Sequence, residues 1–307
     1  MTLSGYGHPL YAESFKEFGS LVPLPTAGTK LLRRDIPNSD RVDMMGCYPL
    51  LLCANWAGLK RDVDQLSDSG AVSLVAVPDP YAGLTVAQLS GCFDHVRPFK
   101  ERFAIQFDKI GNSAGTKHHR YYARKALRDV EVEACREPLE WLEDWVALYQ
   151  ALVARHQLGG LHDFSREAFT IQLQVPGVRL LRASIDGETV AMHIWYVSNQ
   201  RAYSHLAASS PAGYAVGASY GLYQHAIDGF RSGALGEVDL MDLGAGAGTS
   251  GDGEGGLTRF KRGWATHTQE TYLCGKVLDD SGYNQLCIAR GTERSDYFPA
   301  YRAGEFS

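Results

Sequence analysis

Apolar positions along the chain change their period from segment to segment, and the changes divide it into helices and strands. In NWAGLKRDVDQLSDSG, Trp56, Leu59, Val63 and Leu66 recur at helical spacing, with Asn55 placed to cap the helix and Gly70 to close it. AVSLVAVPDP then runs apolar into proline, which predicts a buried strand. TVAQLSGCF, capped by Thr85, predicts a second helix, and HVRPFKERFAIQFD an extended segment. Over residues 1 to about 40, Pro, Gly and charge alternate irregularly, and KLLRRDIPNSDRVD reads as exposed segments with a short strand at most. The first third thus reads strand, helix, strand, helix, strand, an α/β unit in its own right.

The next segment, KIGNSAGTKHHRYYARKALRDVEVEAC, is a glycine-bearing loop entering a basic stretch that holds Lys117, His118, His119, Arg120, Arg124, Lys125 and Arg128. On a helix, Arg120, Arg124 and Arg128 share one face at spacing four. That face is either solvated charge or an anion site, because guanidinium forks suit phosphates and carboxylates. EPLEWLEDWVALYQALVARHQL carries a broad apolar stripe and ends at Gly159-Gly160, the clearest helix in the chain. Ser165 is placed to cap another. VRLLRASIDGETVAMHIWYVSNQRAYSHLAAS gives three strands joined at Asp186-Gly187 and at Ser198-Asn199-Gln200.

Two glycine turns follow. Gly246-x-Gly248-x-x-Gly251, after the strand EVDLMDL, matches the dinucleotide fingerprint literally and is similar to the first motif of methyltransferases that bind S-adenosylmethionine. Its context differs: the glycines continue through GDGEGG instead of opening a helix, and too little chain follows for a doubly wound sheet. The run from 244 to 256 is expected instead to form a substrate lid. The earlier turn, SSPAGYAVGASYGLYQHAI, leads from a strand into an amphipathic helix. There the backbone N–H groups around Gly213, Gly217, Ala218 and Ser219 are placed to receive a pyrophosphate; an ordinary strand-to-helix turn is the other reading.

Composition narrows the classes. The 307 residues suit one large or two closely packed domains, with 45% hydrophobic and 21% charged residues. A net charge of −5 argues against a broadly basic surface, so DNA is not an expected partner, although a local basic patch remains compatible with an anionic substrate. The start, MTLSGYGHPLYAESF, lacks the pattern of a signal peptide, and no apolar stretch is long enough to cross a bilayer. A cytoplasmic protein without a membrane partner is the expectation. Six cysteines are scattered without metal-ligand spacing, and His118 and His119 diverge as neighbours, so no metal is expected.

The hairpin ASIDGETVAMHIWYV, the stretch AYSHLAASSPAGYAVGASYGLYQHAI, the strand MDLGAG and the segment GLTRFKRGW, in that order, resemble an acyltransferase domain of the GNAT superfamily. More narrowly they are similar to the branch that holds FemAB-like peptidyltransferases and CelD-type proteins. The resemblance covers roughly residues 125 to 275. It implies an α/β (α+β) fold of tandem GNAT-like domains, each a mixed, mostly antiparallel sheet flanked by helices: a degenerate one over 1–124 and the acyltransferase domain over 125–307. AGYAVGAS departs from the family's acetyl-CoA signature, Gln/Arg-x-x-Gly-x-Gly/Ala, in lacking the leading Arg or Gln.

The resemblance implies acyl transfer to an amine, from an acyl-CoA or, as in FemAB-like members, from a charged tRNA. Either donor is a co-substrate and no tightly bound cofactor is expected. Such chemistry needs donors for the carbonyl oxygen, a base for the amine and an acid for the leaving group. Tyr203 and His205 lie two apart on one strand and point the same way, and Asp242 ends a later strand. If those strands are neighbours, His205 serves as base with Asp242 orienting it or the amine. Lys261 is a candidate to stabilise developing charge, while His119, Arg120, Arg124, Arg262 and Trp264 are candidate contacts to the anionic substrate. His193 reads as structural. The acceptor expected is a small-molecule or peptide amine, tRNA is a second partner class favoured by the basic stretch, and a homodimer is left open. A non-catalytic binding protein on the same fold is the competing reading.

Overall fold

The computed structural model describes residues 3–111, 114–157, 159–246 and 255–305. The chain divides into two compact units, Tyr6–Lys100 with Glu270–Ser307, here the outer unit, and Met1–Gly5 with Glu101–Gln269, here the central unit.

The outer unit starts with helix α1 (Pro9–Glu13) and a meander of β1 (Ser20–Leu24), β2 (Thr29–Asp35) and β3 (Val42–Gly46), antiparallel throughout. The irregular sequence hid this meander because two of its charges, Arg34 and Asp43, are buried. Arg34 of β2 is inside the unit, its Nη1 donating to Glu305 at 2.8 Å, while Asp43 of β3 accepts from Nη2 of Arg302 at 2.9 Å. These partners lie at the far end of the chain, so no local pattern reveals that the charges are paired. Helix α2 (Leu59–Asp64) lies between two 3-10 turns, and Gly70 closes the segment in the left-handed region at φ 73°. Asn55 does not cap it: its Nδ2 donates to the carbonyl of Thr26 at 3.1 Å. β4 (Ala71–Ala76) is the buried strand expected, and helix α3 (Val86–Ser90) has a complete capping box between Thr85 and Gln88. The chain leaves through β5 (His95–Gln106) and returns late, through β11.

The central unit continues with α4 (Lys117–Asp129), capped by Thr116, then edge strand β6 (Glu131–Cys135), α5 (Leu142–His156) and α6 (Arg166–Gln172), which Ser165 caps through Ala168 N at 3.0 Å. β7 (Val178–Ile185), β8 (Glu188–Ser198) and β9 (Arg201–Ser209) form the predicted meander, with Asp186-Gly187 and Asn199-Gln200 in left-handed turns. A short α7 (Pro211–Val216) and a long α8 (Ala218–Arg231) follow, then β10 (Leu240–Ala245), α9 (Gly256–Trp264) and β11 (His267–Val277). Helix α10 (Asp280–Arg290) belongs to the outer unit. Residues 124 and 125 both lie within α4, and residues from Glu270 onward belong with the outer unit.

In the central unit the sheet order is β5-β10-β9-β8-β7-β6, antiparallel except for the parallel pair β9/β10. In the outer unit it is β1-β2-β3-β4-β11, with β3/β4 parallel. Each is a mixed, mostly antiparallel sheet flanked by helices. The apolar faces of α4 and α8 pack on the central sheet through Ala123, Leu222, Ala226, Ile227 and Phe230, against Leu181, Trp195, Ala202 and Met241. Among the described residues no helix is long and apolar enough to cross a membrane.

Candidate active site

β9 and β10 are neighbours, as the placement of His205 and Asp242 required, but they pair over three residues only: Arg201 with Leu240, Ala202 with Met241 and Tyr203 with Asp242. Beyond Tyr203 and Asp242 no further pair joins them, and the place where the two strands run on unpaired is here called the notch. Both strands are irregular where they part. On β9 the register against β8 shifts from Trp195↔Ser204 to Ile194↔Leu206, so His205 is an extra, bulged residue. On β10 the register against β5 shifts from Asp242↔Ala104 to Gly244↔Phe103, with Leu243 as the extra residue. Gly244 has φ +80°, a conformation strained for any L side chain, and a Cβ there would stand 2.9 Å from Lys261 Nζ, so the tip of the lysine would have to shift.

Asp242 does not orient His205. The carboxylate is fully buried, accepting from Arg102 Nε at 2.7 Å on one oxygen and from the Gly244 N–H at 2.7 Å on the other. His205 Nε2 instead donates to the side-chain oxygen of Gln172 in α6 at 3.1 Å, and its ring lies against Tyr196. Burial pushes His205 down to about 3, which leaves it a very weak base. Tyr203 is buried beside it. The bulge explains the outcome: it turns the His205 ring toward α6.

The opposite face of β9 carries a cluster around His193, which the sequence suggested was structural, with Ser204 and Tyr223. Ser204, half-buried, lies 2.9 Å from Nε2 of His193 on β8 and is hydrogen-bonded to Tyr223 of α8. His193 is fully buried, stacked on Tyr223 with ring centroids 5.0 Å apart. Burial first, then the nearby Lys261 and His205, pushes His193 down to about 3. Burial pushes Tyr223 up to about 12, with Asp242 adding to the rise and the Ser204 hydrogen bond opposing it. Lys261, from α9, donates to the carbonyl of Ala245 at 2.7 Å, which anchors its ammonium at the end of β10. A histidine in the apolar stretch AMHIWYV carries no local sign of this placement; what brings it to Ser204 is its position two residues from Trp195, the register partner of Ser204 across the hairpin.

The candidate anion contacts separate. His119 is buried, its Nε2 donating to the Phe260 carbonyl and its Nδ1 accepting from Thr116 Oγ1, both at 2.9 Å. With both nitrogens engaged it fastens α4 to α9 as a packing residue. Trp264 is fully buried in the core, so close to Gly115 that a Cβ there would stand 2.6 Å from its ring. It too is a packing residue. Arg120 donates to the carbonyl of Gly115 at the start of α4. Arg124 is exposed on that helix, and Arg262 is exposed with its guanidinium 5.8 Å from the centre of the Phe103 ring.

At the expected pyrophosphate turn, Ser210 caps α7 by accepting from the Gly213 N–H at 3.2 Å. Gly213 itself is packed so tightly that a Cβ would stand 2.3 Å from the Val190 carbonyl oxygen. Its amide is therefore engaged already. Gly217, in the left-handed region at φ 69°, both ends α7 and starts α8, which no side chain caps; Ala218 and Ser219 form its first turn. Beyond Gly246, the residues of the other glycine run up to 254 lie outside the described residues, and the lid expected there with them. Among the described residues no group of three or more His, Cys, Asp or Glu could hold a metal ion, and the six cysteines are free.

Residues 114–262 match the family described as acetyltransferase (GNAT) domain. The segment is a GNAT acyltransferase domain. It holds nearly all the site elements named above, from α4 to Lys261 of α9, while Arg102 precedes it. Solved structures with this fold include FemX, with 13% identity, a TM-score of 0.64 and coverage of 90% of this chain and 93% of that one. A C-terminal domain assigned to a lysylphosphatidylglycerol synthetase of Agrobacterium fabrum is 12% identical, with a TM-score of 0.65 and coverage of 94% and 92%. L-PGS from Bacillus licheniformis is 14% identical, with a TM-score of 0.59 and coverage of 92% and 96%. At these identities the likeness is one of fold. Among curated proteins none matches the chain by sequence.

Proposed function

We propose that the chain is an N-acyltransferase that moves an acyl group from an activated thioester, an acyl-CoA, to a small-molecule or peptide amine. The observation that carries this reading is the parting of β9 and β10 after Tyr203 and Asp242, with Lys261 anchored at the end of β10. A strand whose backbone is released from its neighbour offers N–H groups to an acyl carbonyl, and an adjacent ammonium stabilises the charge that grows on its oxygen. The donor's phosphates would meet the first turn of α8, where the amides of Ala218 and Ser219 follow Gly217 without a side-chain cap. Asp242 holds the strand end in place through Arg102 and Gly244; it is not the base. The amine loses its proton to solvent in the notch. Coenzyme A is a co-substrate in this reading and nothing is held permanently.

A charged tRNA is the second donor, favoured by one observation: Lys117, Arg124, Lys125 and Arg128 stand exposed on α4 around Tyr121, which is 56% exposed. Cations interleaved with an exposed aromatic suit a phosphate backbone. Thermal-shift titration separates the readings, because a ligand at about 100 times its Kd stabilises the native state by about 2.7 kcal/mol. Acetyl-CoA is expected to raise the melting temperature. A rise with charged tRNA alone supports the second donor, and a rise with S-adenosylmethionine alone overturns acyl transfer. Stabilisation without turnover would mark a binding protein.

A further inference from the structure

Ser204 is the first residue of β9 beyond the last pair with β10, and it is half-buried where its two partners are enclosed. His193 Nε2 lies 2.9 Å from its Oγ, and the Tyr223 hydroxyl bonds it as well. Nδ1 of His193 is buried and has no protein partner among the described residues. That leaves two tautomers to compare. With the proton on Nδ1, a buried N–H goes unmet and loses its full hydration without a replacement. With the proton on Nε2, the N–H donates to Ser204 and only a lone pair of Nδ1 is left without a partner, the smaller loss.

The Nε2-protonated form has a consequence for the hydroxyls. His193 N–H, Ser204 O–H and Tyr223 O–H are three donors joined by two hydrogen bonds, so one proton points out of the chain. Tyr223 is packed in the core at 4% exposure, against Trp195 and Phe260. Ser204 has the half-open side. If its two lone pairs accept from His193 and Tyr223, its own O–H has a single direction left, away from both and toward the notch. Lys261 Nζ is held at the carbonyl of Ala245 at 2.7 Å, on the part of β10 beyond its last pair with β9.

We propose that the Ser204 hydroxyl is a catalytic hydrogen-bond donor, aimed by His193 and Tyr223 at the carbonyl oxygen of the acyl group during transfer. The inference rests on the acyl-transfer reading above. As the amine nitrogen adds to the carbonyl carbon, the C–N bond forms and the π pair moves onto oxygen, where the Ser204 O–H and the Lys261 ammonium meet it. The C=O bond then re-forms, the bond to sulfur breaks with its electron pair going to the leaving thiolate, and the amine proton passes to water. Ser204 is unchanged throughout and no acyl-enzyme forms. His193 and Tyr223 are positioning residues, neutral across the working range.

Two measurements on the full chain test this. The first is the tautomer of His193, read from long-range nitrogen–proton correlations on histidine-labelled protein at pH 7. The Nε2-protonated neutral form is expected, and an Nδ1-protonated ring overturns the proposal. The second is thiol release from acetyl-CoA in the presence of glycinamide. Ser204→Ala is expected to lower kcat about 10²- to 10³-fold with KM for acetyl-CoA within about twofold of wild type. Ser204→Thr, which keeps the hydroxyl, restores most of the loss, and Tyr223→Phe lowers kcat about fivefold. Wild-type kcat in Ser204→Ala, or a loss that Ser204→Thr fails to restore although the variant is folded, overturns it. A wild type that releases no thiol from this probe counts against the thioester reading instead; the tautomer, which depends on neither substrate nor turnover, then decides the donor geometry.

Discussion

Arg102 Nε donates to Asp242 Oδ2 at 2.7 Å inside the protein, joining β5 to β10 at the point where β10 leaves β9. Both partners are buried, so removing one leaves a charge without its counterpart. Arg102→Ala and Asp242→Ala are each expected to lose about 3–5 kcal/mol in urea denaturation, and the double variant clearly less than the sum. Additive losses would show that the two side chains do not act as a pair.

Lys261 and Gly244 form one device. Lys261→Met is expected to lower kcat about 10²- to 10³-fold while the fold stays intact, because the ammonium is lost where negative charge develops. Gly244→Ala acts by another route: an L side chain at φ +80°, 2.9 Å from Nζ, is strained and displaces the lysine. It is expected to lose about 1–3 kcal/mol of stability and activity as well. Circular dichroism melts beside steady-state assays separate the two effects, and full activity in Lys261→Met would exclude it from the chemistry.

His193 makes stability depend on pH. Its value in the folded protein is about 3 against an ordinary 6.5, so it stays neutral where the unfolded chain takes up a proton. A depressed folded value means that its contribution is complete above about 6.5 and is lost as pH falls towards 3, at about 1.4 kcal/mol per pH unit. His205, pushed down by burial, acts in the same direction. Between pH 7 and pH 5 the wild type is expected to lose about 2 kcal/mol more than His193→Gln in urea titrations. Equal losses would mean that the ring is already protonated, or exposed, in the folded state.

His119 and Trp264 are expected to behave as packing residues. Trp264→Ala should cost about 3–5 kcal/mol and His119→Ala about 1–3 kcal/mol. In the folded fraction of each, calorimetric affinity for acetyl-CoA should match wild type. A stable His119→Ala that has lost affinity would restore the histidine as a ligand contact.

Much of the architecture was legible locally. Periodicity and turn residues gave the long helix Leu142–His156, the meander from Val178 to Ser209 with its Asp186-Gly187 turn, and the caps at Thr85 and Ser165. Each depends on neighbours a few residues away, and so does the alternation that buries Leu181, Ala183 and Trp195 on one face. The ordered motifs were also enough to suggest an acyltransferase domain. What the tertiary structure alone decided were pairings between distant segments. Arg34 and Asp43 read as exposed charge until Glu305 and Arg302 arrive. Asp242 looked free to orient a histidine until Arg102 claimed it from a strand 140 residues earlier. The bulge at His205 is a register shift against β8; it turned one histidine to Gln172 and left His193 to hold Ser204 at the notch. Sequence spacing tells which residues share a strand face, but a bulge and a partner from elsewhere in the chain set where that face points.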